Sequence, residues 1–102
     1  MIEVWHVRDQ YWRDACLGVP PPFSAATYRH VATVECDDAD ATWRYVAFER
    51  TNTIERPWWQ NDGVRSHVGP CRSTSVGDVV VVRGVSWVCL PVGWERAKEG
   101  VV

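Results

Sequence analysis

No stretch of this chain approaches the ~20 consecutive apolar residues that a membrane-spanning helix needs, and its start, Met1-Ile2-Glu3-Val4, lacks the basic and apolar regions of a secretory signal. A cytoplasmic protein with no membrane partner is therefore expected. Lysine is almost missing: Lys98 stands alone beside ten arginines. The net charge is only −2. That excludes the basic footprint of phosphate-driven nucleic-acid binding and a polybasic handle for anionic lipid. It is also too weak for a DNA-mimicking acidic surface. The chain has no G-x-S-x-G elbow, no Walker loop and no G-x-G-x-x-G turn. No catalytic residues and no cofactor are expected, and the chain is read as non-enzymatic.

The cysteines lack a CxxC pair. Cys16, Cys36, Cys71 and Cys89 are widely spaced, and in a reducing compartment they read as small free thiols rather than two disulfides. His6, His30 and His67 have no metal-ligand spacing. His30 and Cys36 share a predicted strand, but lie about 20 Å apart along it at ~3.3 Å per residue. No metal site is expected.

What is present suits one domain. The chain has 102 residues, 46% of them apolar and 24% charged, a balance that excludes disorder of the whole chain. A domain of this length supports one core and little room for a deep cleft. The expected class is α+β: a small antiparallel β-sheet, one main helix packed on it, and a C-terminal β-hairpin.

The elements follow from periodicity. Ile2 to Arg8 reads as a strand with apolar character on both faces. Asp9 to Thr27 reads as a loop, with one helical turn around residues 10–17 and a stop at Pro20-Pro21-Pro22. Tyr28 to Cys36 alternates, with Tyr28, His30, Ala32, Val34 and Cys36 on one side. Asp37-Asp38-Ala39-Asp40 opens a helix whose stripe is Ala39, Trp43, Val46, Ala47 and Arg50, widened by Tyr45 and Phe48. It ends near residues 51–53. Residues 54–70 read as an irregular connector. Val79 to Val82 reads as a strand buried on both faces, Arg83-Gly84 as a two-residue turn, and Val85 to Leu90 as the partner strand. Residues 95–102 read as an exposed, frayed end.

The run Arg72-Ser73-Thr74-Ser75-Val76-Gly77-Asp78-Val79-Val80-Val81, followed by Trp87-Val88-Cys89 and Gly93-Trp94, resembles YodL-like proteins. Ala47-Phe48, Thr51-Asn52 and Ile54-Glu55-Arg56-Pro57-Trp58 look like the same family. The resemblance spans roughly residues 40–94. YodL-like proteins are small domains carried by bacteriophages, plasmids and other mobile elements. The resemblance implies an accessory protein and supplies no catalytic residue. The arginine-dominated base set suits an element of a GC-rich host.

Seven tryptophans are several times the ordinary share for a chain this short. Trp43 and Trp87 fall within predicted elements and read as core. Trp58 and Trp59 sit together in a Pro- and Gly-punctuated connector. Either one plugs the core and the other is exposed, or both cover the open end of the sheet. Trp and Arg dominate binding hot spots, so Arg56, Trp58, Trp59, Arg72 and Trp94 are the candidate binding residues. The expected partner is a host protein whose activity is altered, modulating or inhibiting host growth. The alternative is single-stranded nucleic-acid binding by Trp and Arg stacking, which the acidic charge disfavours. Self-association through an edge strand is a third expectation.

Overall fold

The structure, a computed structural model, describes residues 1–35, 43–53 and 55–99, and for residues 43–45 the backbone alone. The predicted helix start at Asp37 to Asp40, Cys36, the side chains of Trp43 and Tyr45, Ile54 and the last three residues lie outside that description. Six strands form one antiparallel sheet in the order β3-β2-β1-β4-β5-β6. In chain order the elements are β1 (Ile2–Val7), α1 (Asp9–Cys16), β2 (Tyr28–Val34), α2 (Trp43–Thr51), a 3-10 turn (Trp58–Gln60), β3 (Val64–Ser66), β4 (Val79–Val82), β5 (Val85–Cys89) and β6 (Trp94–Arg96). The α+β class expected from the sequence is the class observed.

The two central strands explain the layout. β1 and β4 pair at Val4 with Val80 and at Trp5 with Val79. Both carry apolar side chains on alternate faces, so both faces need a cover. On one face Ile2, Val4, Ala32, Val34, Val80 and Val82 pack with Ala47 of α2 and with Trp58. On the other, Val7, Tyr28, Val79 and Val88 pack with Ala15 of α1, and Trp5 and Phe23 close the margin. β4 and β5 are joined by Arg83 and Gly84, both at positive φ (51° and 76°). Those angles give the turn whose twist matches that of the strands it joins.

Four expectations are corrected. Residues 9–16 form a helix of two turns where one turn within a loop is expected, because Ala15 is fully buried against Gly77 and the turn at Leu17-Gly18 caps the helix carbonyls of Asp14 and Ala15. The alternation of β2 breaks at a bulge. Val4 faces Ala32 and Trp5 faces His30, which leaves Val31 as the extra residue. Val31 and Ala32 therefore both enter the α2-side core, while Tyr28 lies on the α1 side. The connector holds a short edge strand, β3, paired to β2. Residues 94–96 are β6 rather than a frayed end, and the Phe23 N–H donates to the Lys98 carbonyl just beyond it.

In α2 the buried positions are Ala47 and Thr51. The Thr51 hydroxyl donates back to the Ala47 carbonyl (2.8 Å), and the Thr51 carbonyl accepts from Thr74 N–H (2.8 Å). That pair ties the helix end to the segment before β4.

Candidate functional site

Of the five candidate residues, Trp58 meets Trp59 and the Arg72 backbone, but the five do not form one exposed patch. Trp58 is sealed in the core, 1% exposed, and its indole N–H donates to the carbonyls of Arg72 (3.0 Å) and Cys71 (3.3 Å). It has no free ring face to offer a partner, because the loop folds it back as the plug of the α2-side core. Trp59 is half-buried, edge-on to Trp58 with centroids 5.6 Å apart. Arg56 is exposed and donates to the Asn61 side chain (2.7 Å). Arg72 is held in a buried network. Trp94, on β6, is half-buried and stands edge-on to Phe48 of α2 with centroids 6.1 Å apart.

The network occupied by Arg72 centres on Asp78, whose side chain is fully buried. Its carboxylate accepts from Val7 N–H (2.9 Å), Ser75 N–H (2.8 Å) and both terminal nitrogens of Arg72 (2.6 and 2.8 Å). Arg72 also donates to the carbonyls of Ser73 and Val7, and its guanidinium lies 3.9 Å over the Trp12 ring. The Ser-Thr-Ser-Val-Gly-Asp run is thus a lock that fixes the loop before β4 onto β1. With four donors on one carboxylate, the lone pairs of Asp78 are taken up in holding the loop. This is the turn reading of the hydroxyl-rich run, in which side chains bond nearby backbone.

Beside the lock lies His6, 5% exposed, with Nε2 at 2.9 Å from the Thr74 hydroxyl. Burial lowers its pKa to about 4, against the raising pull of Asp78, and Arg72 and Arg29 lower it further. At neutral pH it is an uncharged imidazole. Burial, then Asp78, also pushes the Cys89 thiol up to about 11. Cys16, Cys71 and Cys89 are free thiols. Burial raises the Cys71 pKa too, against the lowering pull of Arg72 and Arg29. None of these shifts favours a reactive thiolate. Among the described residues no group of three or more His, Cys, Asp or Glu side chains could hold a metal ion.

The open aromatic surface is elsewhere. Phe48, Glu49, Asn52, Cys89 and Trp94 line a groove of about 490 Å³ between α2 and β6. Cys89 and Trp94 are register partners flanking the turn from β5 to β6. That turn carries Val92, 91% exposed, next to Pro91. Gly18 packs on Pro91 (3.6 Å from the position a Cβ would take), and its neighbours Leu17 and Val19 are 74% and 67% exposed, Val19 lining a separate groove with Tyr28, Val88 and Leu90 on the α1 face. At the Trp94 end the sequence reading singled out Trp94 and missed Phe48 and Val92. Exposed aliphatics in a loop carry no periodic signal that could have marked them.

The chain matches no family model, no curated protein and no solved structure. Among the described residues no helix is long and apolar enough to cross a membrane.

Proposed function

We propose that this chain is a non-enzymatic protein-binding module whose contact surface is the end built by Trp94, Phe48 and the β5–β6 turn. The carrying observation is the Trp94–Phe48 pair, left half-open over an apolar groove. The adjoining turn carries Val92, 91% exposed. Exposed apolar surface gathered at one place marks interaction sites, and a Trp at its centre has the rigidity and area of an interface anchor. The partner is a host protein, and the effect is modulation or inhibition of host growth. That part of the reading rests on the resemblance to YodL-like accessory proteins of bacteriophages and plasmids.

Affinity capture from host lysate tests it. Trp94→Ala and Val92→Asp should each lose the captured protein while the circular dichroism spectrum stays that of wild type. Capture that survives both substitutions contradicts this surface. Sedimentation at two concentrations separates a second copy of the chain from a foreign partner at the same end.

A further inference from the structure

A second groove, of about 520 Å³, opens where β1 passes into α1, away from Trp94. Three arginines line it from three separate segments: Arg8 before α1, Arg29 on β2, and Arg72 in the lock. Two of them are held in place. Arg8 donates through Nε and Nη2 to the Ala25 carbonyl (3.3 and 2.9 Å), and Arg72 is fixed by Asp78. The Arg29 side chain is exposed and makes no hydrogen bond or ion pair among the described residues. Asp9 is the acid among the lining residues, and the buried Asp78 lies behind Arg72. Asp78 is matched by Arg72, so Arg8 and Arg29 face a single free carboxylate.

Two further features point to an anion. His6 lines the floor. Its Nε2 is taken by Thr74, and Nδ1 has no partner among the described residues. In either tautomer Nδ1 is a buried polar atom without a partner among the described residues, and in the one where Nε2 accepts the Thr74 proton it carries a hydrogen that an anion in the groove can accept. Asp9 and Gln10, the first residues of α1, also line the groove, and Arg8 ahead of them provides no side-chain cap. The orphan N–H groups of that helix end favour negative charge.

We propose that this groove binds a phosphate group, free or as the monoester of a small molecule. Guanidinium forks pair with phosphate in bidentate fashion. The volume lies within the range of roughly 300–1,000 Å³ typical of small-ligand sites. The proposal is independent of the protein-binding end.

The test is an NMR titration of the full chain with inorganic phosphate, pyrophosphate and AMP at constant ionic strength, with chloride as control. Saturable shifts at the Gln10 amide and the His6 ring are expected. Arg29→Gln should weaken binding about tenfold or more without altering the rest of the spectrum, and Arg8→Gln should weaken it in the same direction. AMP binding tighter than phosphate assigns a monoester, and phosphate alone binding assigns the free ion. Shifts that fail to saturate, equal shifts with chloride, or unchanged binding in both variants overturn the proposal.

Discussion

Asp78 and Arg72 lie six residues apart, with Asp78 fully buried and Arg72 partly so, and removing either leaves the other without its counter-charge. Asp78→Ala strands the guanidinium and two backbone N–H groups. Breaking a buried pair from one side costs about 3–5 kcal/mol, so urea unfolding should show a loss of that order. A loss below about 1 kcal/mol means that the pair behaves as a surface ion pair. His6 adds a pH dependence with a defined sign. Its folded pKa, about 4, lies below the ordinary 6.5, so the unfolded chain binds more protons between those values. The contribution is complete above pH 6.5 and is lost as pH falls toward 4. It amounts to about 3 kcal/mol. His6→Gln should flatten that slope in stability measurements across the window, and a slope unchanged in the variant contradicts the burial argument. At this scale the sequence was informative about type and silent about partners. The hydroxyl-rich run before Val79 was legible as a turn. That Asp78 would reach Val7 across the sheet was not, because such a contact depends on strand order.

Among the elements, α1 depends on one close approach. Gly77 has φ of +93°, and a Cβ there would sit 2.5 Å from the Ala15 Cβ. Gly77→Ala therefore combines a left-handed backbone with a clash. The backbone alone costs about 1–3 kcal/mol. Ala15→Gly in the same chain should recover part of the loss, and a double-mutant cycle of thermal unfolding reads the coupling. Additive effects mean that the two residues do not touch. The strands β1, β2, β4 and β5 were legible from their β-branched residues, from the alternation of β2 and from the unbroken valines of β4. α1 was legible only as a single turn around residues 10–17, since its one fully buried side chain is an alanine. The bulge at Val31 was hidden too, as it arises from pairing rather than from residue type. β3 and β6, three residues each, are too short to show a period.

For the molecule as a whole, the tryptophans whose side chains are described divide between the sealed Trp58 and half-buried rings such as Trp94. Among the described residues Trp58 is the largest fully buried side chain, and deleting it costs about 3–5 kcal/mol, a large part of the ~5–15 kcal/mol available to a domain. Trp58→Ala should therefore unfold in much less denaturant than wild type, whereas Trp94→Ala should keep a near-native midpoint. The composition flagged tryptophan as unusual but could not rank the rings, because adjacent indoles in a loop look alike until the chain path decides which one enters the core. The most direct test is photo-crosslinking in host cells with a benzophenone side chain at position 94, compared with position 83 at the opposite end of β5. An adduct with one host protein at 94 and none at 83 is the predicted result. No adduct at 94, or equal adducts at both positions, would contradict the assignment of the Trp94 end as the contact surface.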